Sequence, residues 1–565
     1  MSAWLDKFEE LERLRNSLDQ KKRQLESLDT QIGLRRKHIE TIYNSWAWRV
    51  SMPFRNVGTF FRQVMNVIKN HRKKVLHFRR WPERFEPKRA VIHHCIGGIT
   101  NHVTADRLGE TCPSSHKTGP CVAPSEKAFR AVPRDVVLPT ASELRVISDF
   151  VRLIKHQFCV VSVSHSDYLT AVGGTEKYIT TEQKLLGDRH ISYIHLAPTK
   201  ESHKAVWEAS FNESVLVNID GLQVGVLGFP LARYLLRALT RHLSHRVLAL
   251  NLHHMLGWSA VSMATLLEEL RNCKKRFFVH DYYAVCQQHN LLRNGQYFCG
   301  GGRLNECLHG DECSYAIMRK QHVEAIASLL ASEQFDFIVP SDSAAKIWSK
   351  SHPEYISRMK IVPHLLVTEL EHQTRTREVP QELRAKLRIA YVGYPGVHKG
   401  LELWEEIVND DGLNRNYEFY IFGLWAQVPK HVTYIPVNFI IDGDSGMQDA
   451  LRRHEIDMVF LWSICAETYS YTFHEALAAG CFVLTNVLSG NIQAQVSIRR
   501  NGRVFAAPSE LVDFLRDPLT VKKALDASAA DRTPKYLSPN HELVDEICRL
   551  REDETGETRQ MSFTI

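Results

Sequence analysis

Short apolar runs alternate with longer amphipathic stretches over most of the chain. Between about residues 155 and 365 the runs are FCVVSVSH, ISYIHLAP, SVLVNID, HRVLALNLHH, RFFVHDYY, FDFIVPS and MKIVPHLL. A second series, in the C-terminal third, contains LRIAYVG, YEFYIFG, HVTYIPV, MVFLW and CFVLTNV. Apolar runs of strand length that are separated by helical stretches are typical of parallel sheets with helical crossovers. The pattern predicts an α/β protein with two doubly wound parallel-sheet domains.

A charged segment, VTELEHQTRTREVPQELR, lies between the two series and contains Pro380. Charge and proline without apolar periodicity are typical of an interdomain linker. The predicted boundaries are therefore 91–370 for the first domain and 371–530 for the second. Residues 531–565 are predicted to form a crossover helix and a tail.

Apolar residues recur at heptad spacing in residues 1–45, which predicts an N-terminal coiled coil. The first core position is occupied by Trp4, Leu11, Leu18, Leu25, Ile32 and Ile39. The second contains Leu14, Leu28 and Ile42, and is interrupted by Lys7, Lys21 and Arg35. The regular first position favours a homo-oligomer, whereas the charged second position also fits a lone helix that docks on its own chain.

Residues 46–90 predict a basic amphipathic segment. One helical face would carry Phe61, Val64, Met65, Ile68 and Val75. Basic residues surround this face, and tryptophans lie near the ends of the segment: Arg62, Lys69, Arg72, Lys73, Lys74, Trp46, Trp48 and Trp81. Such a segment suits an anionic membrane surface, and a solvated face is the alternative. No base-reading motif accompanies it, so nucleic acid is not expected as a partner.

Composition restricts the class and the compartment of the protein. The chain has 565 residues, of which 44% are hydrophobic, so it can bury large cores. Its net charge of +7 is local, because residues 51–90 alone contribute +9. There is no apolar leader and no run of eighteen apolar residues, which predicts a cytoplasmic location without a transmembrane helix. Twelve dispersed cysteines argue against a secreted disulfide framework.

The stretch from Asp457 to Leu488 carries the densest candidate chemistry. It predicts a strand, a loop, a helix that ends at Gly480 and a second strand. Glu467 and Glu475 bracket the loop, and the residues between them include Thr468, Tyr469 and Ser470. Backbone amides and hydroxyls at a helix start suit a phosphate, while carboxylates suit paired sugar hydroxyls. A nucleotide sugar has both groups; the alternative is an ordinary junction with solvated glutamates as caps.

The segment AETYSYTFHEALAAGCFVL resembles the E-x7-E signature of the retaining glycosyltransferases of family 4, which have the GT-B fold. The family motif commonly reads PETFSYTLLEALAAGLPVV, and Ala466 stands here where proline is usual. The resemblance implies two facing domains with the ligand in the cleft between them. It further implies that Glu467 contacts the donor sugar at the catalytic centre and that Glu475 binds the ribose hydroxyls.

Two further segments are similar to parts of the same family. SDYLTAVGGTEKYI resembles its GGTE loop, which implies that Gly173 and Gly174 lie near the donor phosphates. Lys399 stands at the lysine position of the diphosphate site, whereas Tyr394 replaces a common arginine. The phosphates would then be held by one cation with backbone amides, or with help from His398 or the glycine pair.

Polar residues at two strand ends of the first domain complete the predicted site. Family 4 enzymes place a histidine near the reacting sugar after the strand that is RFFVHDYY here, so the resemblance implies His280 as the catalytic histidine. Asp281 is a candidate partner or base. His254, after the strand of NLHHMLGWS, is a weaker candidate for the acceptor pocket. For each of these residues the alternative is an ordinary structural role.

Four cysteines follow in a glycine-rich stretch: Cys286, Cys299, Cys307 and Cys313. Four thiolates can hold a structural zinc ion, which would leave no open coordination position for catalysis. No C-x2-C pair is present, so disulfides or reduced thiols remain the alternatives. No cofactor is expected for catalysis itself.

The combined prediction is a retaining glycosyltransferase that moves a sugar from a nucleoside diphosphate to a hydroxyl of a growing glycan. The NSWAWRVSMPFR phrase resembles a segment that follows coiled coils in bacterial polysaccharide glycosyltransferases. That resemblance implies surface-polysaccharide assembly, with a glycan or lipid-linked glycan as acceptor, at the inner face of the plasma membrane. The alternative is a catalytically weak GT-B scaffold of a polysaccharide assembly complex.

Overall fold

A computed structural model describes most of the chain beyond residue 138. The described residues are 139–199, 214–241, 245–302, 313–369, 386–425 and 427–555. The predicted coiled coil and the basic amphipathic segment lie outside them. Among the described residues, no helix is both long enough and apolar enough to span a membrane.

The first half of the described chain is built on a large sheet. Its strands are β1 (Phe158–Val163), β2 (Ser192–Pro198), β3 (Ser214–Ile219), β4 (Leu222–Gly228), β5 (Arg246–Leu252), β6 (Lys274–Phe278), β9 (Phe335–Val339) and β10 (Met359–Ile361), with a separate small hairpin of β7 (Leu292–Arg293) and β8 (Tyr297–Phe298). The sheet order is β10-β9-β6-β5-β1-β2-β3-β4. All neighbours are parallel except β2 with β3 and β3 with β4.

Helices cover both faces of this sheet. They are α1 (Ala141–Arg152), α2 (Gly174–Gly187), α3 (Phe229–Arg241), α4 (Ala260–Glu269), α5 (Ala316–Ala331) and α6 (Asp342–Ser351), followed by a 3₁₀ turn (Pro353–Arg358). Side chains of β1 alternate between the two layers, because Val161 and Val163 belong to one buried cluster and Phe158 and Val160 to another. This alternation is the period-two pattern of a sheet that is buried on both sides.

The second half contains a smaller sheet in which every strand is parallel to its neighbours. The strands are β12 (Leu387–Val392), β13 (Tyr417–Phe422), β14 (Val432–Ile435), β15 (Met458–Phe460), β16 (Phe482–Asn486) and β17 (Gly502–Phe505). Their order is β14-β13-β12-β15-β16-β17. Alternate residues of β12 again enter two separate cores, with Ile389 and Tyr391 in one and Ala390 and Val392 in the other.

The helices of the second half connect these strands. They are α7 (Leu401–Val408), α8 (Phe439–Asp442), α9 (Gly446–Arg453), α10 (Tyr471–Ala479), α11 (Asn491–Arg499), α12 (Pro508–Arg516) and α13 (Pro518–Ala527), with 3₁₀ turns at Val397–Lys399 and Leu413–Arg415. Gly400 begins α7 with a positive φ of 77°, and a Cβ there would lie 2.6 Å from the Trp462 carbonyl oxygen. Glycine therefore lets α7 start against the end of β15.

Two C-terminal elements return to the first half. Strand β18 (Lys535–Pro539) pairs antiparallel with β11 (Leu365–Glu369), and the chain then enters α14 (Glu542–Thr555). Val544 and Ile547 of α14 belong to the same buried cluster as Phe158 and Leu248 of the large sheet. The last helix thus completes the hydrophobic core of the first half.

The prediction of an α/β protein with two parallel sheets is confirmed, with two differences in the first sheet. β3 and β4 form an antiparallel hairpin at one edge, although SVLVNID was assigned to the parallel series. The MKIVPHLL run is divided between β10, which joins the large sheet, and β11, which pairs with β18. An apolar run indicates that a strand is buried. It does not indicate the direction of that strand, which depends on the strands that pair with it.

We expect Arg276 to be essential for the docking of α14. Its buried side chain donates from Nη1 to the Leu543 carbonyl at 3.1 Å and from Nη2 to Glu546 Oε2 at 2.6 Å. Arg276→Leu should lower the unfolding free energy by about 1–3 kcal/mol, since a buried carbonyl loses its donor. Urea denaturation of the full chain measures the loss.

Arg189→Ala is the matched control, because Arg189 also binds α14, through Asp545, but both side chains are more than 40% exposed. Exposed ion pairs contribute little, so this variant should unfold as the parent does. Equal losses in the two variants would contradict the proposed role of Arg276.

Candidate functional site

Loops from both halves of the described chain meet around two adjoining cavities. The larger has a volume of about 430 Å³ and is lined by residues that include Gly173, Gly174, Lys177, Lys399, Ser470, Tyr471, Thr472 and Glu475. The smaller has a volume of about 260 Å³ and is lined by Gly174, Thr175, His280, His364, Lys399, Glu467, Thr468, Tyr469, Ser470, Tyr471 and Thr472. Lys399 lines both, so it lies at their junction.

The glycine pair lies at the start of α2, which faces α10 of the other half. A Cβ on Gly174 would lie 3.8 Å from the Tyr471 ring, and a Cβ on Gly173 would lie 2.3 Å from Glu176 Oε2. Gly173 therefore has little room for a side chain unless Glu176 moves. Lys177, one helical turn after Gly173, lines the larger cavity.

Glu467 binds Lys399 at the wall of the smaller cavity. Its Oε1 accepts hydrogen bonds from Lys399 Nζ at 2.5 Å and from Ser463 Oγ at 2.8 Å. Burial opposes ionisation of Glu467, but the charge of Lys399 and these hydrogen bonds outweigh it and hold the pKa of Glu467 below its ordinary value. Both groups are thus charged near neutral pH and can exchange partners with a ligand.

Glu475 forms a second ion pair, and this one joins the two halves. Lys177 Nζ lies 2.6 Å from Glu475 Oε1, and the two side chains are only 9% and 6% exposed. The ammonium group also lies 4.9 Å from the centroid of the Tyr471 ring. A buried charge is retained at low cost only when its counter-charge is in contact, so each residue requires the other.

The loop between β15 and α10 is bound to the first half by hydrogen bonds. Thr468 Oγ1 donates to the His280 carbonyl at 2.5 Å, and the Thr468 carbonyl accepts from Ser341 Oγ at 2.7 Å. The Tyr469 hydroxyl accepts from the Leu365 amide at 3.1 Å. Ser470 caps α10 by accepting from the Phe473 amide. The hydroxyls of Thr468 and Ser470 are therefore engaged in holding the loop.

Asp281 and His254 are placed together but apart from His280. Asp281 Oδ2 accepts from His254 Nε2 at 2.7 Å, and Oδ1 accepts from the Tyr283 amide. Burial opposes the ionised form, yet the His254 contact holds the pKa of Asp281 well below its ordinary value. The residues that line the two cavities include neither of them. Asp281 thus binds His254 and not the predicted partner His280.

Two residues near Lys399 bear on how a diphosphate could be held. Tyr394, which stands at the arginine position of the family motif, is 74% exposed and lies at the edge of the larger cavity. Burial, followed by the charge of Lys399, lowers the pKa of His398 to about 4, so His398 is neutral near pH 7. The second cation on the wall of the larger cavity is instead Lys177.

Three of the four predicted zinc ligands line a separate cavity of about 350 Å³. They are Cys286, Cys299 and Cys313. Cys307 lies outside the described residues. Among the residues that are described, no group of three or more histidine, cysteine or acidic side chains has the spacing to hold a metal ion. The zinc site stays a prediction.

The sequence pattern did not indicate Lys177, Ser463 or Glu182 as site residues, and it placed His253 at a strand end without a role; His253 and Glu182 form a buried pair behind His280. Lys177 follows the glycine pair at helical spacing, and this spacing would have indicated that it faces the same ligand. Ser463 lies four residues before Glu467 in a loop, where spacing predicts no contact. Glu182 is in the middle of α2, and its burial was not evident from the residue type.

Comparisons with known proteins find similarity to solved structures only. No protein-family model matches the chain, and no curated protein matches it. WaaG, a glycosyltransferase involved in lipopolysaccharide biosynthesis, is 14% identical; the match covers 66% of this chain and 94% of WaaG, with a TM-score of 0.39. Similarity at this level assigns no family.

Two further solved structures match at comparable values. Anabaena HepE in complex with UDP-glucose is 10% identical over 70% of this chain and 99% of HepE, with a TM-score of 0.38. The catalytic domain of Arabidopsis thaliana starch synthase IV, bound to ADP and acarbose, is 11% identical over 70% of this chain and 95% of that domain, with a TM-score of 0.38.

We predict strong energetic coupling between Lys177 and Glu475. Lys177→Met or Glu475→Gln alone should lower the unfolding free energy by about 3–5 kcal/mol, because each leaves a buried charge without its partner. The double variant should recover much of this loss. Urea denaturation of the four proteins gives the coupling energy.

The matched control is the same cycle on Asp149 and Arg152, whose side chains are 68% and 77% exposed. This pair should show no measurable coupling. Equal coupling in the two cycles would mean that Lys177 and Glu475 do not depend on burial for their interaction.

Proposed function

We propose that the protein is a retaining glycosyltransferase of the GT-B type that transfers a sugar from a nucleoside diphosphate to a hydroxyl of a growing glycan. The observation that carries the proposal is the division of charge between the two cavities. The larger contains Lys177 and Glu475, the smaller contains Glu467 and His280, and Lys399 belongs to both. The groups of a nucleotide sugar follow the same order, because its diphosphate lies between the hydroxyls of the ribose and those of the transferred sugar.

The diphosphate would lie at the junction beside Lys399. A lysine ammonium is a compact charge that suits phosphate oxygens, and the glycine backbone at Gly174 permits close approach. As the bond to the leaving group breaks, negative charge grows on the diphosphate. Lys399 would stabilise that charge more strongly in the transition state than in the ground state, which is how it would accelerate the reaction.

The nucleoside would occupy the larger cavity. Apolar residues line much of its wall and suit the flat face of a base: Val437, Phe439, Met447 and Ile492. Glu475 has one oxygen on Lys177 and can accept from ribose hydroxyls with the other. Lys177 would then remain close to the phosphates and supply the second positive charge that Tyr394 does not provide.

The transferred sugar would occupy the smaller cavity between Glu467 and His280. In the proposed reaction the bond from the anomeric carbon to the diphosphate oxygen breaks, and a bond to the acceptor oxygen forms on the same face. The acceptor proton moves to an oxygen of the departing diphosphate, so no protein nucleophile is required. The side chains act by holding the sugar, the leaving group and the acceptor in the orientation that the reaction requires.

A panel of nucleoside diphosphate sugars tests this function in the full chain. One donor should raise the thermal midpoint and undergo slow hydrolysis to the nucleoside diphosphate, since water can replace the acceptor. Glu475→Gln and Lys399→Met should each reduce hydrolysis at least about 100-fold, in line with the loss of a positioned charge. Chromatography of the released nucleotide measures the rate.

Glu405→Gln is the matched control, because Glu405 is an exposed carboxylate on α7 of the same half. It should hydrolyse the donor at the parental rate. If no donor shifts the thermal midpoint and none is hydrolysed, the enzyme proposal fails and the GT-B scaffold alternative takes its place.

We also propose that the basic segment at residues 46–90 binds an anionic membrane surface, with support from its sequence pattern. Lys73→Glu with Lys74→Glu should weaken binding to vesicles of anionic lipid at least about tenfold, since each basic residue near such a surface contributes about 1 kcal/mol. Flotation of the full chain measures binding. Lys522→Glu with Lys523→Glu, an exposed lysine pair on α13, is the control. Equal binding by both double variants would refute the membrane proposal.

A further inference from the structure

A carboxylate and two histidines form a continuous chain of hydrogen bonds from the core of the first half to the smaller cavity. Glu182 Oε2 lies 3.1 Å from His253 Nε2, and His253 Nδ1 lies 3.0 Å from His280 Nε2. The side chains of Glu182 and His253 are 2% and 0% exposed, whereas His280 lines the cavity. The mechanism proposed above uses only the last member of this chain.

Glu182 is held as an ionised acceptor. Its Oε2 also accepts from the Tyr193 hydroxyl at 2.7 Å, and its Oε1 accepts from Asn251 Nδ2 at 2.8 Å. Burial opposes ionisation, but His253 and these hydrogen bonds outweigh it and hold the pKa of Glu182 below its ordinary value. A buried carboxylate with three donors around it has no proton to donate.

The carboxylate and a single hydrogen on each imidazole ring together set the position of every hydrogen in the chain. Because Glu182 can only accept, a His253 ring with one hydrogen carries it on Nε2, and its Nδ1 has a lone pair. His280 must then donate from Nε2, which leaves the lone pair of His280 on Nδ1. Burial, followed by the neighbouring histidines, holds the pKa of His280 well below its ordinary value, so the ring is neutral.

We propose that Glu182 and a singly protonated His253 are positioning residues that fix His280 in its Nε2–H tautomer and so present a hydrogen-bond acceptor, Nδ1, to the smaller cavity. No hydrogen bond to Nδ1 of His280 is formed within the described part of the chain. A ligand group at this point must donate, as a hydroxyl does. A carboxylate or a phosphate oxygen would meet a lone pair and be rejected.

This inference rests on the proposed function only where it names the ligand group as a sugar hydroxyl. It then restricts the donor to sugars with a neutral hydroxyl where the ring meets His280, and it disfavours uronic acids that place a carboxylate there. The tautomer itself exists without any ligand, so it can be measured independently of enzymatic activity.

Glu182→Gln should reverse the direction of the hydrogen bonds between residue 182, His253 and His280, while the side chain keeps its size. Asn251 Nδ2 can only donate, so it keeps the amide oxygen at the position of Oε1, and the amide nitrogen takes the position of Oε2. That nitrogen donates to His253 Nε2, which forces the hydrogen of His253 onto Nδ1 and that of His280 onto Nδ1 as well. The cavity would then be offered a donor in place of an acceptor.

Nitrogen-15 NMR of the full-length, histidine-labelled protein reads the tautomer directly. The His280 signals are identified by their loss in His280→Gln. In the parent protein we expect a protonated Nε2 and an unprotonated Nδ1 for His280, and in Glu182→Gln the two signals should exchange character. Tyr193→Phe is the matched control, because it removes another hydrogen bond to the same Oε2 and should leave the tautomer unchanged.

An Nδ1–H or doubly protonated His280 in the parent protein would overturn the proposal, even if Glu182→Gln failed to fold. An unchanged His280 tautomer in a folded Glu182→Gln would also overturn it. If the donor assay gave a substrate, Glu182→Gln should reduce its turnover at least about tenfold while Tyr193→Phe reduces it less. If no donor were hydrolysed, the proposed function would fail, whereas the expected spectra would still support the positioning chain.

Discussion

The ion pair between Lys177 and Glu475 is the contact on which the geometry of the two cavities depends. One charge is supplied by α2 of the first half and the other by α10 of the second, and both are almost completely buried. Because neither can be left without a counter-charge inside the protein, the pair fixes how closely α2 and α10 approach. The hydrogen bonds of Thr468 with His280 and Ser341 hold the loop between β15 and α10 against the first half.

The sheets could be predicted from sequence because their strands are nearly continuous apolar runs. Residues of β12 alternate between two cores, and β1 does the same in the first sheet, which is the condition that produces such runs. Strand direction could not be predicted in this way. The β3–β4 hairpin and the pairing of β11 with β18 depend on which strands become neighbours in the fold. β18 lies more than 160 residues after β11 in the sequence.

The residues that line the two cavities were predictable where a residue type and a motif coincide, as for Glu467, Glu475 and Lys399. They were not predictable where a common residue acquires its role from burial. A lysine on an amphipathic helix is usually solvated, yet Lys177 is buried against Glu475. Likewise Asp281 adjoins His280 in sequence, but its carboxylate binds His254, because both residues lie in a bend after β6, where adjacency in sequence does not fix the side-chain direction.

The placement of α14 has a consequence for how the protein is made. The face of the large sheet that contains Phe158, Val160 and Leu248 is completed by Val544 and Ile547, which are nearly 400 residues later in the sequence than β1. During synthesis the first half emerges long before the helix that covers it, so this apolar face stays exposed to other surfaces while the second half is translated. An exposed apolar face of this kind binds chaperones and promotes aggregation. The docking of α14 therefore ends the exposure of this face.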